Sequence, residues 1–278
     1  MTQTLAFRRF GPDHIDAAVR LSLAAGWPHR HEDWALLVSL GRGHVALHRD
    51  TVVATALATP MGDLAMANMI IVDATMRGRG LGRQIMERSL ELLAPQEWRL
   101  TATELGLPLY RKLGFESWGT VHQHQAVLPT LTVLTAPAGV RLATAANLPA
   151  IAAMDRAATG ADRAALLARL CANGRVAFAE GHGFAVLHEF GRGGMVGPVV
   201  AQDQAVAQDL LTFLLAGQAG RFVRVDAAQD AGEDSGLSDW LIEIGLPHVD
   251  TGIAMRRGTP TAPQGGFRRF GLVTQALG

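Results

Sequence analysis

Asn68-Met-Ile-Ile-Val-Asp-Ala-Thr-Met-Arg-Gly-Arg-Gly-Leu-Gly-Arg-Gln-Ile85 decides the reading of this chain. An apolar run ending at Val72 reads as a buried strand, three glycines follow within five residues, and Leu81, Ile85, Ser89 and Leu92 then recur at helical spacing. The stretch is therefore strand, tight loop and helix. Gly78, Gly80 and Gly82 let the backbone come close to a ligand, and the free N–H groups and dipole of the helix start favour an anion such as a diphosphate.

Spacing separates the families that use this arrangement. A Walker loop ends in Gly-Lys-Ser/Thr, which is absent, and a dinucleotide fingerprint needs Gly-x-Gly-x-x-Gly, whereas this loop runs Gly-x-Gly-x-Gly. The segment resembles the coenzyme A loop of the GNAT N-acyltransferase superfamily, Arg/Gln-x-x-Gly-x-Gly/Ala, matched by Arg77, Gly80 and Gly82 after a strand of the form apolar-x-Val-Asp. A second match stands about 30 residues on, where Leu107-Pro-Leu-Tyr-Arg-Lys-Leu-Gly-Phe115 resembles the Leu-Tyr-x-x-x-Gly-Phe ending of the helix that follows the fifth strand in that superfamily. Tyr110 is the only tyrosine in the chain.

Composition sets the frame. At 278 residues, 49% of them hydrophobic, the chain is long enough for two cored domains. Twenty-five basic residues balance 25 acidic ones without a long run of either sign, so nucleic acid and an anionic membrane are not expected as partners. The single cysteine, Cys171, cannot form an internal disulfide or a multi-cysteine metal site, and no metal is expected. No signal-peptide core and no apolar span of about 18 residues is present, and the sequence reads as soluble and cytoplasmic.

In chain order, Leu5 to Phe10 reads as a strand and His14 to Ala25 as a helix opened by Pro12-Asp13. The loop Gly26 to Asp33 leads to a second helix, Trp34 to Leu40, and strands are expected at His44 to His48, Thr51 to Ala58 and Leu64 to Val72. After the glycine loop and its helix come a strand from Trp98 to Ala102, a helix from Leu105 to Lys112 and a strand from Val121 to Leu128. That order is the GNAT order. Pro129 to Gly139 reads as a linker, and a second pass follows: strand 140–143, helices 147–158 and 162–172, strands 175–180, 183–189 and 195–200, helix 206–215, strand 222–226, helix 237–244, strand 249–256 and a closing strand 267–274. The expected fold class is α+β (α/β), with tandem GNAT folds, each a mixed, mostly antiparallel sheet flanked by helices. The domains are 1–129, catalytic; 130–139, linker; and 140–278, a diverged GNAT-like copy.

The whole chain resembles a bacterial two-domain branch of the superfamily. Its second copy carries Met-Asp-x-x-x-x-Gly-x-Asp-Arg, matched at Met154, Asp155, Gly160, Asp162 and Arg163, and Gly-Pro-x-x-Ala, matched at Gly197, Pro198 and Ala201. The resemblance implies an acetyl-CoA-dependent N-acetyltransferase acting on an amine, expected to be a small molecule, with acetyl-CoA as co-substrate. It implies coenzyme contacts at Ile70, Ile71, Val72, Arg77, Gly78, Arg79, Gly80, Leu81, Gly82 and Arg83, with Thr103 where relatives often place an asparagine against the pantetheine. Tyr110 is implied as the acid that protonates the departing thiolate. A base is not singled out: where many relatives carry a glutamate on strand four or five this chain has Asn68, Thr101 and Thr103, with Glu104 just after, and His29, His31, His122 and His124 read more readily as packed or surface histidines than as a catalytic base.

The acceptor is expected at Trp27, His29, Asp33 and Asn68, although Trp27 and Trp34 could instead staple the second helix to the sheet. A non-catalytic acyl-CoA-binding or sensing protein is the alternative, raised by the missing acidic residue on strand four. In the second copy, Asp203 to Gln208 stand where the glycines should be and Leu241 takes the place of the tyrosine, so no coenzyme site is expected there.

Overall fold

The computed structural model describes residues 5–129, 137–230, 236–261 and 263–278. Residues 130–136 of the expected linker lie outside them. Among the described residues thirteen strands form one continuous sheet, with eight α-helices on its two faces.

In the first half the elements are β1 (Leu5–Arg9), α1 (Ile15–Ala24), α2 (His31–Leu40), β2 (Arg42–His48), β3 (Thr51–Met61), β4 (Leu64–Val72), α3 (Leu81–Leu90), β5 (Glu97–Ala102), α4 (Leu107–Lys112) and β6 (Glu116–Val127). The second half repeats them as β7 (Val140–Leu142), α5 (Leu148–Thr159), α6 (Ala164–Asn173), β8 (Arg175–Ala179), β9 (Gly183–Phe190), β10 (Gly193–Ala201), α7 (Gln204–Leu215), β11 (Phe222–Asp230), α8 (Leu237–Glu243) and β12 (His248–Gly258), and adds β13 (Arg268–Gly271).

Two boundaries differ from the sequence reading in ways that matter. α2 begins three residues early, at His31, because the Asp33 carboxylate folds back to accept the Arg30 amide at 2.8 Å and so caps the first turn. β6 begins at Glu116 rather than Val121, because it is paired along both edges.

Strand order is β1-β2-β3-β4-β5-β12-β6-β11-β13-β10-β9-β8-β7. The sixth strand of each half therefore lies beside the fifth strand of the other. β12 pairs with β5 (Ile253↔Ala102 through Gly258↔Glu97), and β6 pairs with β11 (Val127↔Phe222 through Gly119↔Asp230). β6 and β12 meet antiparallel at the centre, where Thr120↔Ile253 and Val121↔Gly252 are adjacent, symmetry-equivalent pairs. The halves are thus related by a local two-fold and have exchanged their sixth strands.

Packing follows the same plan. One face carries α1, α2, α5 and α6 over a single core in which Trp34, Leu37, Leu57 and Met66 of the first half join Ile151, Leu167, Phe178 and Leu277 of the second. The other face carries separate clusters: Met86, Trp98, Leu100, Tyr110 and Met255 under α3 and α4, with Ala54, Met76, Leu81 and Ile85 beside them, and Leu210, Leu214, Val223 and Leu241 under α7 and α8. Arg99 also ties the halves. Its guanidinium is bidentate on Glu97 at 2.8–2.9 Å and donates to the Thr159 carbonyl at 2.8 Å. Among the described residues no helix is long and apolar enough to cross a membrane.

Candidate active site

β4 and β5 are parallel neighbours only over Leu64–Met66 and Glu97–Arg99, and beyond Met66 the two strands part. β4 bulges as it leaves: its register against β3 shifts between Thr55 and Leu57, and Met69 takes φ +51°. The wedge between the strands opens into a cleft of about 890 Å³, walled by Asn68 to Val72 on one side and by Thr101 and Thr103 on the other. Ile70, Ile71 and Val72 thus stand along the rim of a strand whose neighbour has moved away.

At the end of β4, Asp73 closes a turn by accepting the Thr75 amide and hydroxyl at 2.8 and 2.6 Å, and Arg77 Nε donates to the Val72 carbonyl at 3.2 Å. The glycine loop follows with Gly78 at φ +75° and Gly80 at φ +74°, a conformation that disfavours any Cβ. A Cβ at either position would enter open space, which leaves the backbone accessible from the cleft. Gly82 differs, since a Cβ there would sit 3.5 Å from Val72 and from Leu109. The helical ladder of α3 starts with Gln84 N to Gly80 O at 3.1 Å, so the amides of Leu81, Gly82 and Arg83 precede it. All but one of the residues expected from Arg77 to Arg83 line the cleft. The exception is Arg79, whose side chain is exposed outside the lining because it rides between two left-handed glycines. The loop and helix start suit a pyrophosphate.

Tyr110 lies in the cleft wall, 6% exposed, edge-on to Phe115 at 6.3 Å. Its ring rests on Gly106, where a Cβ would come within 2.6 Å of the ring carbon Cε2. Glycine at 106 is the local reason the ring can lie where it does. Burial pushes the phenol up to about 12, so it is a proton donor at every physiological pH.

Of the expected acceptor residues, Trp27, His29 and Asn68 line the cleft and Asp33 does not. Both Asp33 oxygens are occupied: Arg30 forms an ion pair with Oδ1 at 2.8 Å, and Oδ2 accepts the amides of Arg30 and Gly191 at 2.8 and 2.9 Å. Asp33 pins the α1–α2 loop to the β9–β10 turn rather than meeting an amine. An acidic residue at the third position of a helix was the signal for that role. The two tryptophans divide the roles open to them. Trp34 is fully buried, stacked on Phe10 at 5.5 Å and bonded through Nε1 to Ser22 Oγ at 3.2 Å, whereas Trp27 stays at the cleft.

His29 packs edge-on to Phe190 at 5.3 Å, and its Nδ1 is buried without a partner. Burial, aided by the nearby charge of Arg224, holds it near 4, so the ring is neutral at physiological pH. Asn68 donates from Nδ2 to Thr59 Oγ1 at 3.0 Å, and its buried Oδ1 has no partner. His122 and His124 lie away from the cleft against α8, where His124 bonds Ser238 Oγ at 2.7 Å and the Leu246 carbonyl at 2.9 Å. Exposed His31 stands 3.6 Å from Asp16. Among the described residues no group of His, Cys, Asp and Glu could hold a metal ion, and Cys171 is a half-buried free thiol.

Part of the cleft was invisible to a reading that kept the halves apart. Gln123 and Gln125 of β6 face it beside Arg224 of β11 and Asp250 of β12, with Phe190 at the end of β9 and Arg192 in the β9–β10 turn. Thr274, Gln275 and Ala276 complete the wall. No local signal marks these residues, because strand exchange and the path of the last residues bring them in.

In the second half the corresponding slot is closed. β10 pairs parallel with β11 over Gly194–Val196 and then diverges as β4 does, but β13 fills the gap, pairing Val199↔Gly271, Val200↔Arg269 and Ala201↔Arg268 on one side and Ala227↔Gly271 on the other. A Cβ on Gly197 would collide with the Leu272 carbonyl, so glycine there lets the segment pass. Arg163, ion-paired with Asp155 in the core, donates to the carbonyls of Leu277 and Gly278. The two sequence patterns that distinguish the second copy therefore seat residues 268–278. At the start of α7 the Asp203 carboxylate accepts the Val206 amide at 2.9 Å and takes the position an anion would need. Leu241 is buried in the core at the position matching Tyr110.

Family models described as acetyltransferase (GNAT) domains match residues 39–117 and 151–271. The chain is 29% identical over 276 residues to an uncharacterized N-acetyltransferase, YitH, of Bacillus subtilis, covering 96% of each. Among solved structures, a putative acetyltransferase from Pyrococcus horikoshii is similar at a TM-score of 0.84 with 21% identity, over 100% of this chain and 97% of that one. A tandem GNAT protein from the clavulanic acid biosynthesis pathway is similar at 0.63 with 15% identity, over 93% of this chain and all of that one.

Proposed function

Since this chain belongs to the GNAT superfamily and is a tandem acetyltransferase, we propose that it moves an acetyl group from acetyl-coenzyme A to the amine of a small molecule in the cleft between β4 and β5. The observation that carries this reading is the joining, in one cleft, of an accessible glycine loop at a helix start with the buried hydroxyl of Tyr110. Residues 1–129 supply the coenzyme side. Residues 140–278 are a diverged copy that completes the sheet through β12 and the acceptor wall through Arg224, Asp250 and residues 274–276.

Pyrophosphate binds the amides from Gly78 to Arg83, where helix dipole and backbone donors act together. The pantetheine arm follows the β4 rim at Ile70 to Val72, with Thr103 opposite. A free amine attacks the thioester carbonyl, and backbone N–H groups of β4 stabilise the oxyanion that develops. As the tetrahedral intermediate collapses, the C–S bond breaks and Tyr110 gives its proton to the thiolate. The new amide nitrogen loses a proton to solvent. A phenol held near 12 is a weak acid, and it is the one phenol in the chain.

The test is free-thiol release from acetyl-CoA across an amine panel, together with calorimetric binding. Amine-dependent thiol release that disappears with coenzyme binding in Gly80→Val is expected, because a side chain at φ +74° would both strain the loop and enter the phosphate cradle. Tight acetyl-CoA binding without release for any amine would instead favour a non-catalytic acyl-CoA sensor.

A further inference from the structure

The acceptor end of the cleft is bipolar. Arg224, largely buried, is held by two 2.8 Å hydrogen bonds to Asp226, so that pair cancels. Apart from Arg77 and Lys112 on the coenzyme side of the lining, two charged side chains then remain without an ion partner among the described residues: Arg192 in the β9–β10 turn and Asp250 on β12, whose carboxylate accepts the amide of Thr251 at 2.9 Å. Strand register orders the charges. Asp250 lies opposite Gln123 on β6, and Gln123 lies opposite Asp226 on β11, so Asp250 and the Arg224–Asp226 pair are two strand spacings apart, about 10 Å. β12 is also the direct neighbour of β5, which forms one edge of the wedge, whereas β11 and Arg192 lie farther across the sheet. The negative end of the acceptor site is therefore the one beside the thioester. The positive end lies beyond it, extended by Arg224 N–H groups that Asp226 does not use.

Resting on the acetyltransferase reading above, we propose that the acceptor is a zwitterionic amine, an amino acid whose ammonium group faces Asp250 and whose carboxylate faces Arg192 and Arg224. A guanidinium presents a planar fork that matches a carboxylate, and a site with one free charge of each sign is complementary to a ligand with both. A polyamine would set its second cation against Arg192 and Arg224, and a simple apolar amine would leave Arg192 unanswered. Gln123 and Gln125, between the two ends, supply neutral donors and acceptors for the body of the ligand.

The full chain is assayed by thiol release with matched sets of each amino acid, its carboxamide and its decarboxylated amine, using wild type, Arg192→Gln and Asp250→Asn, with acetyl-CoA affinity measured calorimetrically for each. The acid is expected to exceed the decarboxylated amine at least tenfold in kcat/KM. Arg192→Gln should raise KM for the acid about tenfold, leave acetyl-CoA affinity unchanged and erase the preference over the carboxamide. Asp250→Asn should raise KM for all three amines. Equal turnover of acid, carboxamide and decarboxylated amine, or a preference that survives Arg192→Gln, overturns the zwitterion while leaving acetyl transfer intact. No thiol release from any amine by protein that binds acetyl-CoA overturns both.

Discussion

Burial shifts the titration of two side chains in the cleft, and each gives a measurable consequence. Tyr110 is held as a phenol near 12, so Tyr110→Phe removes a proton and almost nothing else from the packing against Phe115 and Gly106. The variant should bind acetyl-CoA nearly as well as wild type and lose about 10² to 10⁴ in kcat, the range of a general acid. An unchanged kcat with chemistry rate-limiting would remove Tyr110 from the mechanism. His29, lowered to about 4 against an unfolded value of 6.5, acts on stability instead. Between those values the unfolded chain binds the proton and the folded one does not, so His29 withdraws stability as pH falls from 6.5 toward 4, by about 3 kcal/mol at the limit. Replacing it with Gln should flatten the fall of Tm with acid over that window, leaving the share due to His188, His44 and His124, which burial also lowers. An equally steep fall in His29→Gln would contradict the assignment.

At the scale of elements, the two helix starts after β4 and β10 make the clearest contrast. α3 is entered through Gly78 and Gly80 with accessible amides at its start, whereas α7 begins with a carboxylate already bonded to its own helix, and β13 fills the gap beside it. Coenzyme A should therefore titrate at one site per chain, and a second site persisting in Gly80→Val would refute the closure of the second slot. Much of this was legible in the sequence. The spacing of Gly78, Gly80 and Gly82 identified the loop, β4 was bounded correctly from Leu64 to Val72, and the missing glycines after Val200 marked the second copy as different. What was not legible depends on tertiary contact. Asp33 looked like a carboxylate free for an amine, but its partner amide at Gly191 is 158 residues away. Phe7-Arg-Arg-Phe-Gly11 and Phe267-Arg-Arg-Phe-Gly271 are identical, yet the first lies on an edge strand and the second largely in β13, between two others. Local sequence sets a strand's capacity to pair, while the position it takes is decided by which gap remains open.

For the whole molecule, strand exchange makes the halves interdependent in a way that a linker between two independent domains would not. The first half supplies β5 with no outer neighbour of its own, since that place belongs to β12, and it sends β6 across to β11. Cutting after Pro129 would expose one edge of β5 and leave the 12-residue β6 without either partner. It would also strip Phe178, Leu167 and Leu277 from the core that holds Trp34 and Leu37. Unpaired edges of that length and an opened apolar face bury no compensating surface and recruit another chain. The local two-fold says which chain fits: a second copy of residues 1–129 has its own β6 to offer in the place of β12, antiparallel about the same centre near Thr120 and Val121. A fragment of residues 1–129 is therefore expected as an exchanged dimer or as aggregate, and not as a folded monomer. Its acetyl-CoA affinity should be reduced and its amine turnover lost, because Arg224, Asp250 and residues 274–276 are absent from the acceptor wall. Sedimentation equilibrium and thiol release on the fragment, alone and mixed with residues 137–278, check this directly. A stable monomer with wild-type turnover would mean that β12 and the second half are dispensable, against the pairing seen here.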